Sequence, residues 1–257
     1  MEKNCRPPAI SFEPRIGDIM RGALLFALAL LAAPTHAFEL KPFFASYTAD
    51  WKQMPISGSA ERSLKKLDGT RWDYEFKASM LLASVTEQST FSVENGRLVP
   101  LAYRYERSGM GKDKKVRHDF DWQAKTVQGS ERDKPVKLPL NRGLLDKSLY
   151  QLELQKDVAE GKKSMSYQVL DGDEIETYDF RVLGNENVRT RVGLVEAVKV
   201  ERVRDPTQTN RKTVFWLAKD WDYLMVRLHQ VEKDGKEYQI MLKEGTVDGR
   251  PVKGRLD

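Results

Sequence analysis

The dominant pattern along the chain is an alternation of apolar and polar residues at every second position. It is clearest in residues 70–80 and returns in residues 97–107, 176–182, 223–230 and 237–243. Successive side chains of a β-strand point to opposite faces of the sheet, so this period predicts half-buried strands. The apolar positions are Trp72, Tyr74, Phe76, Ala78, Met80, Leu101, Tyr103, Tyr105, Tyr178, Phe180, Val182, Leu224, Val226, Leu228, Tyr238, Ile240 and Leu242.

Tight turns are predicted between these strands. Dipeptides that tolerate a positive φ stand there, and such dipeptides favour two-residue hairpins. They are Asp68-Gly69, Asn95-Gly96, Asp171-Gly172, Asp234-Gly235 and Asp248-Gly249, and Asp205-Pro206 predicts a further turn. No helical pattern alternates with the strands, which argues against a doubly wound α/β fold. We therefore expect an all-β protein with a curved antiparallel sheet, either an open barrel or a sandwich-like meander.

One segment departs from the alternation. Leu145, Leu149, Leu152 and Val158 lie near helical spacing, and Gly161 provides a stop. The pattern predicts a single amphipathic helix over residues 144–159, inserted between two groups of strands. Neither flank shows the composition of a linker, so we expect the helix to fill the open end or the concave face of one sheet. The prediction is a single β-rich domain over residues 38–257.

The N-terminal segment resembles a secretory leader when it is read from Met20. Arg21 supplies a positive charge, residues 23–33 are apolar, and Ala37 is a small residue suited to cleavage before Phe38. Residues 20–37 are therefore interpreted as a signal peptide cut between Ala37 and Phe38. The apolar stretch is short for a helix that must span roughly 30 Å of hydrocarbon, so a permanent membrane anchor is the less favoured alternative.

Residues 1–19 show neither strand nor helix periodicity. We interpret them as a start codon assigned too early, with Met20 as the true start, or as a long charged region of the leader. In either case the prediction is export to the bacterial periplasm, with secretion beyond the cell as the alternative. The processed protein would not be an integral membrane protein.

The composition limits which catalytic, metal and ligand sites the mature chain could have. The only cysteine, Cys5, precedes the predicted cut, so the mature chain would have no disulfide, no thiol nucleophile and no thiolate metal site. The two histidines after the cut, His118 and His229, are expected on solvated strand faces, which makes a zinc site improbable. The net charge of +5 is spread along the strands. It suits an anionic partner such as a lipid headgroup better than a nucleic acid, which favours a concentrated basic face.

Residues 108–115, SGMGKDKK, contain a glycine pair but lack the spacing of a phosphate-binding loop. They are interpreted as a hairpin tip. Lys112, Lys114, Lys115 and Arg117 are weak candidates for contact with an anionic membrane surface. The alternative is a solvated run of charges.

A catalytic centre is not evident. The chain lacks the Gly-x-Ser-x-Gly nucleophile turn, and we assign no catalytic residue, metal ligand or cofactor. Carboxylate pairs two residues apart on a strand would share a face, and exposed tryptophans would offer a sugar platform, so a cell-wall or polysaccharide hydrolase stays an alternative. The pairs are Asp119/Asp121, Glu174/Glu176 and Asp220/Asp222, and the tryptophans are Trp51, Trp122, Trp216 and Trp221.

The order of five segments resembles the domain of unknown function 3108 family of exported bacterial proteins. The segments are FFASYTADW, YRYERSGMGKDKKVRHDFDW, GLLDKSLYQLELQKDVAEG, VGLVEAVKVER and WLAKDWDYLMVRLHQVEKDG, between about Phe43 and Leu242. The resemblance implies an envelope-associated, β-rich fold and transfers no catalytic residue.

The leading functional hypothesis is a non-catalytic periplasmic binding or envelope-homeostasis protein. Its concave apolar surface would hold a lipid-like or envelope ligand. The alternatives are the hydrolase described above and an assembly factor that binds protein by strand addition at a sheet edge. An apolar cavity would favour the first hypothesis, whereas aspartates converging with a tryptophan would favour the hydrolase. The sequence does not set the oligomeric state.

Overall fold

The computed structural model describes residues 38–53, 56–109 and 113–256. These described residues form one compact unit. The predicted leader, including Ala37, and the candidate Lys112 lie outside the described residues, whereas Phe38 lies inside them. In these three ranges we find no helix with the length and apolar character needed to cross a membrane.

The described residues form one large open sheet and one α-helix. The strands are β1 Phe43–Trp51, β2 Ile56–Asp68, β3 Arg71–Met80, β4 Ala83–Glu94, β5 Arg97–Ser108, β6 Lys114–Asp121, β7 Thr126–Glu131, β8 Lys134–Pro139, β9 Leu144–Asp146, β10 Ser164–Asp171, β11 Glu174–Thr190, β12 Gly193–Val203, β13 Lys212–Ala218, β14 Leu224–Val231, β15 Glu237–Val247 and β16 Arg250–Pro251. The α-helix, α1, spans Leu149–Ala159, and Lys219–Trp221 form a short 3-10 helix.

The sheet has the order β8-β7-β6-β5-β4-β3-β2-β1-β15-β14-β13-β12-β11-β10-β9, with β16 added beside β15. Two meanders therefore run outward from the central pair β1–β15, which is joined from Phe43↔Val247 to Trp51↔Tyr238. Neighbouring strands along this order are antiparallel except for the short parallel pair β9–β10. The predicted all-β, antiparallel sheet with one inserted helix is confirmed.

The alternation and the turns behave as predicted. In β3, Trp72 and Tyr74 are buried, and Phe76 and Ala78 are half-buried on the same face. Each of the five predicted dipeptides lies at or beside a turn between consecutive strands. At the β4–β5 turn, Asn95 and Gly96 adopt φ of 51° and 73°, the left-handed conformation that a two-residue hairpin requires.

The predicted helix is five residues too long at its start. Leu144–Asp146 form β9 instead, and α1 begins at Leu149. The buried Asp146 carboxylate accepts hydrogen bonds from the backbone N–H groups of Ser148 at 2.9 Å and Leu149 at 2.8 Å. Such an acceptor satisfies N–H groups that have no partner within the helix, so it sets the helix start. The helix ends at Ala159, as predicted. Gly161 follows with a φ of 86°, a left-handed conformation that stops the helix.

The helix lies against the inner face of the sheet. Its residues Leu149, Leu152 and Leu154 are buried, and they belong to the main core with aromatic residues from both meanders. Polar contacts also reach the helix from both halves of the sheet, because Arg62 of β2 donates to Gln151, and Gln155 donates to the carbonyl oxygen of Asp222. The helix therefore packs against one face of the sheet and contacts residues of both meanders.

A second core cluster connects the two ends of the sheet. It joins residues of β5, β6 and β7 to Leu144 and Leu170 of β9 and β10. His118 of β6 lies within this region, with no exposed surface, and its Nε2 is 2.7 Å from the carbonyl oxygen of Gly172 in the β10–β11 turn. The expectation that His118 lies on a solvated strand face is therefore wrong. The alternation identified its strand but not the elements that cover it.

Candidate functional site

Two adjoining cavities lie on the inner face of the sheet. The first, called here the arginine cavity, has a volume of about 470 Å³. The second, called here the apolar cavity, has a volume of about 710 Å³. The two cavities share Val85, Tyr105, Gln230, Tyr238 and Ile240 as walls, so they adjoin along these residues.

The apolar cavity lies between the central strands and the tip of the β3–β4 hairpin. Most of its exposed wall is apolar and includes Ala49, Trp51, Ala78, Met80, Leu81, Ala83, Val85 and Ile240. Two acidic and two basic residues, Asp50, Glu232, Arg107 and Lys236, also line it. At its rim, Leu81 and the adjacent Leu82 are 67% and 87% exposed. Large apolar side chains that remain this exposed beside an apolar cavity are typical of a ligand entrance or a contact surface.

The arginine cavity carries an excess of positive charge. Its lining includes five cationic side chains, Arg62, Lys147, Arg202, Arg204 and Arg211, and two acidic ones, Glu87 and Asp171. The cations come from β2, the β9–α1 junction and the end regions of β12 and β13. A cleft lined mainly by side chains of one charge sign attracts ligands of the opposite sign.

Three arginines lie on or next to the β12–β13 connection. The Arg202 guanidinium stacks 3.3 Å from the ring centroid of Tyr178 and is 3.5 Å from the Glu176 carboxylate. Arg211 forms a 3.0 Å salt bridge with Glu232. Arg204 donates instead to the neutral Thr213 hydroxyl at 3.2 Å.

Arg62 is a structural part of the cavity floor. Its side chain is buried, and its Nε donates to the Tyr74 hydroxyl oxygen at 2.6 Å. The guanidinium also lies 5.9 Å from the Phe43 ring centroid and 5.3 Å from that of Tyr74. Such a cation held between rings is stabilised by their negative faces. The Tyr47 hydroxyl donates to the carbonyl oxygen of Met225 at 2.8 Å, and burial raises the pKa of Tyr47 to about 12.

A buried acidic group lies beside the cavity. Asp146 accepts a 2.5 Å hydrogen bond from the Ser89 hydroxyl in addition to its two backbone partners. Burial raises the pKa of Asp146 to about 6, although these hydrogen bonds oppose the shift. Enclosure also raises the pKa of Glu87, and the Ser148 hydroxyl, which donates to Glu87 at 2.7 Å, opposes that change.

The Asp171 carboxylate is bound by two neighbouring side chains. Lys147 contacts its carboxylate at 2.7 Å, and the Tyr178 hydroxyl donates to it at 2.8 Å. Burial alone would raise the pKa of Asp171, but the Lys147 charge and these hydrogen bonds bring it below its usual range. Asp171 is therefore ionised and paired at neutral pH.

Of the candidate membrane-contact residues within the described ranges, Lys115 and Arg117 line one surface groove, and Lys114 lies on the other face of β6. Lys114 is ion-paired with Glu131 at 2.6 Å, and Lys115 with Glu106 at 2.9 Å. Lys115 and Arg117 are exposed and, by the alternation of β6, lie on the face opposite to Lys114. None of these three residues lines the arginine cavity or the apolar cavity.

No member of the three carboxylate pairs of the hydrolase hypothesis lines either cavity, although Glu176 lies 3.5 Å from Arg202 of the arginine cavity. Asp119 contacts Arg104, and Asp222 is ion-paired with Lys41 at 2.9 Å. Of the four tryptophans considered, Trp51 lines the apolar cavity, where its ring centroid is 5.7 Å from that of Tyr238. In the part of the chain that the structure describes, no group of three or more His, Cys, Asp or Glu residues is placed to hold a metal ion.

Sequence reasoning overlooked the arginines of the cavity. A signal was present, because Arg202 and Arg204 are two residues apart in a strand-like segment and Arg211 follows a predicted turn. The spacing places Arg202 and Arg204 on one face of an extended chain. The closing of that face by the helix and the other meander could not be read from local sequence.

Comparisons with known proteins agree with this architecture. The sequence profile of the family described as Protein of unknown function (DUF3108) matches residues 46–243. No curated protein is significantly similar in sequence. Among solved structures, the chain is similar to a beta-barrel-like protein of domain of unknown function DUF1849 from Brucella abortus, with a TM-score of 0.54 and 11% identity over 81% of this chain and 98% of that chain. At this identity the likeness extends to the fold alone.

Proposed function

Because the chain belongs to the DUF3108 family of proteins of unknown function, we propose a function from its own geometry: a non-catalytic periplasmic binding protein that holds an amphiphilic, lipid-like ligand inside the sheet. The observation that supports this proposal is that the apolar cavity and the arginine cavity adjoin and share five wall residues. An apolar section would receive a hydrocarbon chain, and a cationic section would receive a polar head.

The dimensions and walls of the cavities support a bound ligand. Each volume, about 470 Å³ and about 710 Å³, falls in the range of roughly 300–1,000 Å³ that small-molecule sites occupy. Burying hydrocarbon against walls such as Met80, Val85 and Ile240 would contribute about 25 cal/mol for each Å² removed from water. The exposed Leu81 and Leu82 at the rim would provide an apolar entrance.

The proposed location rests on the leader-like sequence. Residues 20–37 have a charged start, an apolar core and a small residue before Phe38. A protein that works between two membranes would meet amphiphiles with long acyl chains. Fractionation of cells that produce the full-length chain tests this part, and cytosolic protein that begins at or before Met20 would contradict it.

Strand addition, the assembly-factor alternative, receives less support from the sheet edges. One edge strand, β8, contains Pro135 and Pro139, which have no N–H group to offer a partner. The other edge strand, β9, has three residues, all of them buried. Short or proline-containing edges are the features by which proteins discourage added strands.

The experiment places a bulky side chain where the two cavities adjoin. Val85 lines both of them, so Val85→Trp would fill the connection, whereas Thr86→Trp places the same ring on the opposite face of β4. We expect the wild type and Thr86→Trp, purified without detergent, to release an amphiphile detectable by mass spectrometry of an organic extract. Val85→Trp should release much less.

Folding of each variant is checked by far-ultraviolet circular dichroism. If Val85→Trp does not fold, Ala78→Trp on the neighbouring strand serves the same purpose, because Ala78 also lines the apolar cavity. Equal amounts of amphiphile in folded wild type and folded blocked variants would overturn the cavity as the binding place. If no amphiphile co-purifies with the wild type and no added amphiphile binds to it, the proposed function is overturned.

A further inference from the structure

The geometry points to Arg204 as the residue that binds the anionic head group, a carboxylate or a phosphate, of the amphiphile. This inference rests on the proposed function and adds the chemical class of the ligand and its orientation. The head would lie in the arginine cavity, and the chain would extend past Tyr105 and Ile240 into the apolar cavity.

The β12–β13 connection concentrates cationic side chains at one end of the space. Arg202, Arg204 and Arg211 all line the arginine cavity, although six residues lie between the second and the third. A guanidinium group presents a planar fork of N–H donors that matches two oxygens of a carboxylate or phosphate. Three such groups at one site suit an anion with several acceptor oxygens.

The partners of these arginines differ in a way that singles out Arg204. Arg202 approaches Glu176, and Arg211 is paired with Glu232. Among the described residues, Arg204 has no carboxylate partner, and its Nη1 donates a hydrogen bond to the Thr213 hydroxyl. Most of its five N–H donors are therefore free to contact a ligand.

The local electrostatics make an anion favourable at this position. Partial burial, together with the like charges of Arg202 and Arg211, lowers the pKa of Arg204 to about 10. A lowered pKa means that the protein environment disfavours the charged form of this guanidinium. A bound anion would offset the repulsion among the three arginines and would stabilise that charge.

The acidic residues of the same cavity do not neutralise Arg204. Asp171 is engaged by Lys147 and Tyr178, and Glu87 accepts from Ser148. The remaining cation, Arg62, is held by the Tyr74 hydroxyl and Gln151 beneath the floor. Arg204 is thus the cationic group of the cavity that combines partial exposure with the lack of an acidic partner within the described ranges.

The test measures displacement of the neutral fluorescent probe N-phenyl-1-naphthylamine from the full chain. The competitors are dodecyl phosphate, dodecanoate, the neutral 1-dodecanol and inorganic phosphate. Arg204→Gln removes the charge, and Arg142→Gln makes the same change at an exposed loop position outside both cavities. If Arg204→Gln does not fold, Arg204→Lys keeps the charge but removes the fork.

We expect wild type and Arg142→Gln to bind dodecyl phosphate and dodecanoate more tightly than 1-dodecanol. Arg204→Gln should weaken the two anionic ligands by roughly tenfold or more and leave 1-dodecanol unchanged, because one charge-assisted contact is lost. Arg204→Lys should give a smaller loss for the anions, again without an effect on 1-dodecanol.

The other outcomes separate this inference from the proposed function. If anionic and neutral ligands bind equally and Arg204→Gln changes neither, the head-group inference fails while the cavity function stands. If no dodecyl compound binds, both fail. If inorganic phosphate displaces the probe as well as dodecyl phosphate does, the site recognises a free anion, and the inferred amphiphile head group is overturned.

Discussion

Replacing the buried Asp146 by asparagine should change how the stability of the protein depends on pH. The Asp146 carboxylate has no exposed surface and accepts hydrogen bonds from Ser89, Ser148 and Leu149. An asparagine oxygen can still accept from the two backbone N–H groups, and its amide can donate to the Ser89 oxygen. Asp146→Asn therefore removes the titration and keeps the shape of the helix start.

The magnitude follows from the pKa of the carboxyl group. Burial raises it from 3.8 to about 6 in the folded protein. A difference of one pKa unit corresponds to about 1.4 kcal/mol, so the free energy of unfolding should change by about 3 kcal/mol through this group. Because the folded pKa is raised, the stabilisation is complete below about pH 3.8 and is lost as pH rises through about 6.

The assay is urea unfolding of wild type and Asp146→Asn at several pH values between about 3.5 and 7.5, followed by tryptophan fluorescence. The measured quantity is the free energy of unfolding of the variant minus that of the wild type. We expect this difference to rise by about 3 kcal/mol across the range. Asp220→Asn, at an exposed position, controls for the substitution itself.

Two results would refute this reasoning. A difference that stays constant within roughly 0.5 kcal/mol across the range would mean that burial does not perturb Asp146. A difference that falls with rising pH would mean that the three hydrogen bonds outweigh burial, so that the folded protein prefers the carboxylate.

Two further predictions concern the sheet and the helix. Gly129→Ala should destabilise the protein by more than about 2 kcal/mol in urea unfolding, since a Cβ atom there would lie 1.7 Å from the carbonyl oxygen of Arg117. Gly96 has open space around it, so Gly96→Ala should cost about 1 kcal/mol, through the positive φ alone. An equal cost at the two positions would contradict the close approach of β6 and β7. Leu152→Ala should cost about 2–5 kcal/mol because the side chain is buried in the core, whereas Leu82→Ala, at 87% exposure, should stay within about 0.5 kcal/mol. Similar losses at the two positions would show that α1 does not pack against the sheet.

The sequence predicted the sheet well because its signals are local. The alternation around Tyr74 fixes which face of β3 is buried, and Asn95-Gly96 fixes the turn after β4. Two-residue turns also force antiparallel neighbours. The end of the helix at Gly161 belongs to the same class of local signal.

The features that were missed depend on contacts between distant segments. The helix start is set by Asp146, which also reaches Ser89 on β4, 57 residues earlier. The burial of His118 depends on Gly172, 54 residues later. An alternating pattern tells which residues share a face but not what covers that face.

The same limit applies to the candidate site. The sequence drew a candidate site from a dense run of charge that includes Lys114, Lys115 and Arg117. A strand distributes such a run over two faces. Arg202, Arg204 and Arg211 are spread more widely in the sequence and meet because the β12–β13 connection turns back at the cavity. Proximity in the fold, not density in the sequence, makes the candidate site.

The most direct test of a ligand held inside the sheet is a crystal structure with 12-bromododecanoate, located by the anomalous scattering of bromine. The account predicts a bromine peak in the apolar cavity, near Met80 and Ile240, and the carboxylate beside Arg204. Bromine beside Arg204, or a ligand bound only on the outer face of the sheet, would contradict it.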